Sequence, residues 1–244
     1  MDSNKPNVHF QIKLAGYHFD ISCFNDSTKR YCHDFLSEGD PDFKIILTNE
    51  DIEEEKENAK DGHLYGNAEL TALYRKIADT IIEKDVIVFH SSAISIDGKG
   101  YLIAARSGVG KSTHAKYLQE ALGERFHYIN DDKPLIKKEE DGFLVYSSPW
   151  NGKERRGEDL SAPLCGILFL DRGEIPSCEK IQDPQTIYFR LLSQIYLPYD
   201  KGKKEKALKI ADAIFKEIPF YQIKATLDIS SAYKTIERIT QHEA

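Results

Sequence analysis

The chain opens on alternation. His9-Phe10-Gln11-Ile12-Lys13-Leu14 puts apolar side chains at every second position, the period of a strand with one buried face. Ala15-Gly16 offers a tight turn and Tyr17-His18-Phe19-Asp20-Ile21 resumes the extended pattern, so a hairpin is predicted. Residues 43–47 read as a further short strand, and the heavily charged stretch 50–61 as a solvated loop or short helix. Over 67–83 the period changes: Leu70, Leu73, Ile77 and Ile81 or Ile82 share one helical stripe. Beyond Lys84-Asp85, Val86-Ile87-Val88-Phe89, 93–96 and 101–104 are apolar strands, the last two joined by the turn Asp97-Gly98-Lys99-Gly100. A helix from Lys111 to about Leu122 follows. Further strands are predicted at 126–130, 135–138, 143–146, 166–170 and 221–227, and helices at 186–197, 205–216 and 231–240. This order predicts an α/β protein: a mixed sheet with helices packed against it, preceded by a small N-terminal α+β subdomain. The division expected is 1–84 and 85–244.

The candidate chemistry sits where a strand meets a helix. Ala105-Arg106-Ser107-Gly108-Val109-Gly110-Lys111-Ser112 has the spacing of a phosphate-binding loop, with alanine in the first glycine position. Backbone N–H groups of such a loop face phosphate oxygens, and the helix it opens carries uncapped N–H groups and a favourable dipole. Arg106, Ser107, Gly108, Val109, Gly110, Lys111, Ser112 and Thr113 are the nucleotide-binding candidates. Lys111 would meet the β- and γ-phosphates, and the Ser112 hydroxyl would ligate magnesium. A carboxylate must complete the metal shell. Asp171, closing the apolar run Gly166-Ile167-Leu168-Phe169-Leu170, fits the generic pattern of strand plus acid slightly better. Asp131-Asp132 fits the chemistry better, because one acid can hold the cation while the other takes a proton from an attacking hydroxyl.

The combination of His90-Ser91-Ser92-Ala93, the loop 105–112 with Gly110-Lys111-Ser112-Thr113-His114, Asn130-Asp131-Asp132-Lys133-Pro134 and Pro149-Trp150-Asn151-Gly152-Lys153 resembles the HPr kinase/phosphorylase-like proteins. The similarity is closest to their stand-alone bacterial relatives. Their phosphate-loop domain is similar to that of phosphoenolpyruvate carboxykinase. The resemblance covers about 86–174 and implies that Asp131 activates the substrate hydroxyl, that Asp132 is associated with the metal and that His90 lies near the phosphates. It thereby favours the pair over Asp171. Thr113 stands where HPr kinases carry an acidic residue, and no copy of their glycine-rich, arginine-bearing segment is found, so neither phosphorylase activity nor HPr as substrate is implied.

Lys153, Arg155 and Arg156 form a basic run that would neutralise charge on a transferring phosphoryl group or remain a solvated loop; Lys133 would contact phosphate or simply pair with an acid. The net charge of -7 argues against a general nucleic-acid binder. Cys23, Cys32, Cys165 and Cys178 form no CxxC pair and read as reduced thiols. No leader-like apolar core precedes Val8 and no apolar run is long enough to span a bilayer, so a cytoplasmic protein without membrane contact is expected. The reading is an ATP- and magnesium-dependent kinase acting on a hydroxyl of a peptide or a small molecule, with homo-oligomers allowed. A non-catalytic ATP-binding regulatory or assembly module is the alternative, and carboxykinase chemistry ranks last.

Overall fold

The computed structural model describes residues 5–58, 67–106, 108–152 and 154–240. The opening alternation folds as an antiparallel hairpin of β1 (Val8–Leu14) and β2 (Tyr17–Cys23), with Val8 opposite Cys23 and Leu14 opposite Tyr17. Ala15 and Gly16 both take positive φ, 49° and 91°, the geometry a two-residue hairpin turn needs. A helix α1 (Asp26–Tyr31) follows, and β3 (Phe43–Ile46) adds to β2 in parallel. The charged stretch forms helix α2 (Asn49–Asn58), which packs on α3 (Ala68–Ile81). The Asn67 side chain accepts the Leu70 N–H and starts α3. Leu73, Ile77 and Ile81 of the stripe are buried against the hairpin, and Leu70 is buried as well. Glu69 is also buried; its carboxylate accepts the N–H groups of Phe24 and Asn25, the Asn25 amide and the Thr28 hydroxyl. That one acid ties the corner between β2 and α1 to α3.

Asp85, at φ 57°, turns the chain into the larger sheet. Its strands are β4 (Val86–Val88), β5 (Ser92–Ile96), β6 (Lys99–Ala104), β7 (Phe126–Asn130), β8 (Leu135–Glu139), β9 (Gly142–Tyr146), β10 (Ser161–Arg172), β11 (Ser177–Lys180) and β12 (Phe220–Ala225). The order is β4-β8-β9-β10-β6-β5-β7, with β12 also on β10 and β11 on β12. β10 curls the sheet. Its first residues, Ser161 to Pro163, run antiparallel to β9; from Leu164 it runs parallel to β6, with a register shift between Leu164 and Gly166, and from Ile167 parallel to β12 as well. A Cβ at Gly166 would stand 3.2 Å from the Tyr101 ring and 3.3 Å from that of Tyr221, so a larger residue there would need both rings to shift by a few tenths of an ångström.

Helices α4 (Lys111–Leu122) and α7 (Ser230–Thr240) cover one face, around Ile103, Leu118 and Leu168; α5 (Pro184–Leu192) and α6 (Lys201–Glu217) cover the other, around Leu102, Phe169 and Ile214. A third core joins the N-terminal hairpin and α3 to Val86, Val88, Leu135 and Trp150. β6, β7, β10 and β12 end at one rim, which sets Ala105, Asp131 and Arg172 side by side along it.

The structure departs from the sequence reading in identifiable places. β10 begins at Ser161 rather than 166, because Pro163 lies where the strand leaves β9 for β6. The helix expected over 186–197 stops at Leu192: Ile195 bridges Phe89 and the Tyr196 N–H donates to the Val88 carbonyl (3.0 Å), which draws the tail into an extended path. α6 starts at Lys201, not 205, because the Asp200 carboxylate caps it at the Lys203 N–H (2.9 Å). The expected strand 221–227 is β12, which starts at Phe220 and ends at Ala225. β11 and α1 have no counterpart in the sequence reading. No helix of the described residues is long and apolar enough to cross a membrane.

Candidate functional site

The loop after β6 opens α4 without a side-chain cap: Gly110 is the cap residue, at φ 119°, and the first turn carries no acid. Gly108 also takes positive φ, 76°. A Cβ at either glycine would meet nothing within 4 Å, so backbone handedness rather than crowding requires them. Ala105 is buried and keeps ordinary φ; Ser112 and Thr113 are exposed on the first turn of α4. Arg172, from the end of β10, donates to the Gly108 carbonyl (2.7 Å) and the Val109 carbonyl (3.3 Å). The Gly110 N–H, in the same peptide plane as the Val109 carbonyl, therefore points away from Arg172. Ser107 lies outside the described residues.

The acid pair is held by its neighbours' side chains. Asn130, fully buried, accepts the N–H groups of Asp132 (2.9 Å) and Lys133 (2.7 Å) on its Oδ1 and donates through Nδ2 to the Ser148 carbonyl (3.0 Å). The Asp131 N–H donates to Asn151 Oδ1 (2.8 Å), and Asp131 Oδ1 accepts the Gly152 N–H. A Cβ at Gly152 would lie 2.6 Å from that same oxygen, so the close approach demands glycine. The two carboxylates thus face different partners. Asp131 is nearly buried against the loop after Trp150. Asp132 meets His90 Nε2 at 3.3 Å, Lys133 Nζ at 3.4 Å and Lys111 Nζ at 3.9 Å.

Electrostatics follow from that crowding. Burial works against an ionised Asp132, but the His90 hydrogen bond and the two ammonium groups outweigh it and hold the carboxyl at about 2. Burial lowers Lys111 to about 8, against the opposing pull of Asp132, and lowers Lys133 as well. The Asp132 hydrogen bond favours a charged His90, yet burial and the nearby Lys133 and Lys111 prevail, leaving the imidazole below its ordinary value. A buried ammonium at a bare helix N-terminus is a poised anion site: an arriving phosphate restores the stabilisation that burial removed.

Asp171, near the end of β10, is paired with Arg190 (3.1 Å) and Lys224 (3.8 Å). Arg155, at φ 46°, lays its guanidinium 4.6 Å from the Tyr31 ring centroid, donates to the Tyr31 carbonyl (2.9 Å) and stands 3.6 Å from Asp34. Arg156 pairs with Glu154 and donates to the Tyr128 hydroxyl (3.3 Å). Lys153 lies outside the described residues. Among the described residues no group of three or more His, Cys, Asp and Glu forms a metal cage.

Sequence reasoning missed Arg172, Asn151, Ser148 and Tyr31. Arg172 carried a signal only as a charged residue at a strand end, and Asn151 only through its place beside Trp150. Tyr31 comes from the N-terminal unit. Burial raises its hydroxyl and Arg155, which lies against its ring, opposes this.

No family model matches the chain and no curated protein matches it. Among solved structures it is similar to the HPr(Ser) kinase/phosphatase from Coxiella burnetii, at 13% identity and a TM-score of 0.40, over 64% of this chain and 99% of that one.

Proposed function

We propose that the chain is an ATP-dependent kinase that moves the γ-phosphoryl group to a hydroxyl, on a serine of a peptide or protein or on a small molecule. One observation carries the reading: Lys111 at the bare start of α4 reaches Asp132 at the end of β7, beside a second carboxylate, Asp131, that faces other partners. Cation chemistry and proton chemistry need separate acids at one phosphate site, and this arrangement supplies them.

In this reading the N–H groups of 108–113 and Lys111 hold the β- and γ-phosphates. Magnesium, when bound with the nucleotide, neutralises developing charge on the phosphates. An exposed Ser112 hydroxyl and an ionised Asp132 fit the oxygen donors this hard cation takes alongside phosphate and water. Asp131 takes the acceptor's proton as its oxygen forms a bond to the γ-phosphorus and the bond to the β-phosphate oxygen breaks, releasing ADP. His90 and Lys133 orient Asp132. Residues 85–244 form the nucleotide-binding domain and 1–84 the subdomain that walls the acceptor side. Four unpaired cysteines agree with a reducing cytoplasm.

The test is ADP release from magnesium-ATP across a panel of hydroxyl-bearing peptides and small molecules. Turnover that disappears in Asp131→Asn while ATP binding persists supports the kinase. Tight ATP binding with no turnover on any acceptor would leave the non-catalytic module.

A further inference from the structure

β7 and its acids lie on one side of β6; β10 is the neighbour on the other, and there a cleft of about 660 Å³ opens beneath the loop. Phe169 forms part of its floor, Arg106 and Val109 one wall, and α5 with the residues after it the opposite wall. The size suits a nucleoside-sized ligand.

Three features describe what fits. Phe189, on α5, leaves its side chain in water at the edge of the cleft (74% exposed), while Ile187 and Leu191 of the same helix are buried. The Gln194 Oε1 is buried and, among the described residues, has no hydrogen-bond partner, while its Nε2 donates to Ser193 Oγ (2.9 Å). The amide is thereby oriented with an acceptor waiting for an N–H or O–H. Arg190 is neutralised by Asp171 and lies 4.5 Å from the Phe169 ring centroid, so the cation in the interior of the cleft is already paired, while Arg106 stands exposed at the wall next to the loop. The cleft thus offers an aromatic surface and a neutral acceptor, which is the chemistry of a base and its sugar.

The cleft does not suit the acceptor. Neither Asp131, Asp132, Lys111 nor His90 lines it, and the carboxylates that do are engaged, Asp171 by Arg190 and Asp183 by the Thr186 N–H, so a hydroxyl held there would not meet the acid pair. We propose that it takes the nucleoside end of the triphosphate whose phosphates the loop holds, with the base against Phe189 and an N–H or O–H of the nucleoside donating to Gln194 Oε1. The inference rests on the phosphate-loop reading and adds the direction in which the nucleotide lies.

Calorimetry with magnesium-ATP and with inorganic tripolyphosphate separates the two. The wild type should bind ATP more tightly than tripolyphosphate. Phe189→Ala, an exposed position, should weaken ATP by about ten- to a hundredfold, the range of one base stacked on an aromatic ring, and leave tripolyphosphate unchanged. Gln194→Met should weaken ATP in the same selective way. Equal affinity of the wild type for the two ligands, or variants that leave their ratio unchanged, overturns the cleft assignment and spares the loop. Binding of neither ligand by the folded wild type overturns the loop reading and the inference with it.

Discussion

Asp131 and Asp132 are adjacent in the chain and differ in almost everything else. Asp132 sits among three cationic or protonatable side chains, whereas Asp131 is held by the Gly152 N–H. Asp131→Asn keeps the shape of the side chain and removes its basicity, so phosphoryl transfer should fall about 10²–10⁴-fold with ATP affinity retained, as read by paired turnover and binding measurements. Gly152→Ala drives a methyl into the Asp131 carboxylate and should lower turnover more than ATP affinity. Lys111 predicts a pH dependence. With its amine lowered to about 8, the free protein loses that charge as pH rises through 8, and ATP affinity should fall by up to about tenfold per unit above it. For stability the sign is opposite: between 8 and 10.5 the unfolded chain binds the Lys111 proton and the folded one does not, so this group adds stability as pH rises. Asp132, at about 2 against 3.8 unfolded, stabilises fully above 3.8 and loses that contribution as pH falls toward 2. Melting curves at several pH values read both effects.

At the scale of elements, the loop and α4 depend on a residue from another strand. Arg172 holds two loop carbonyls, and Arg172→Ala should loosen the loop and weaken ATP binding by about tenfold, one charge-assisted contact. Arg172 is exposed, so the melting temperature should barely move. The hairpin, the α3 stripe and the strand-loop-helix around Gly110 were legible because their signals are local: a period, a turn pair, a glycine spacing. The first half of β10 was not, since Ser161-Ala162-Pro163-Leu164-Cys165 shows neither alternation nor an apolar run and is a strand through its pairing with β9 and then β6. α2 was ambiguous because its support is tertiary: Glu55 is buried against Arg75 (2.5 Å), and Asp51 pairs with Lys76 (2.8 Å), both partners on α3. The same limit applies to the site. Spacing alone marks Lys111, and it ranks Asp171 slightly ahead of the acid pair; the pairing of Asp171 with Arg190 and the contact of Arg155 with Tyr31 exist only in the folded chain.

Across the whole molecule, Trp150 couples the N-terminal unit to the acids. It is 1% exposed, donates its indole N–H to the Leu70 carbonyl (3.3 Å), meets Tyr74 edge-on at 5.3 Å and lies two residues before Gly152. Trp150→Ala should cost about 3–5 kcal/mol of stability, measured by denaturant unfolding. Trp150 on α3 and Arg155 on Tyr31 of α1 thus both hold the chain on either side of Gly152, the residue whose N–H meets Asp131, against the N-terminal unit. Everything functional depends on whether the start of α4 captures a nucleoside triphosphate. Calorimetric titration of the folded protein with magnesium-ATP should give one saturable site that Lys111→Ala abolishes. Absence of heat from any purine triphosphate, or undiminished binding in Lys111→Ala, would overturn it.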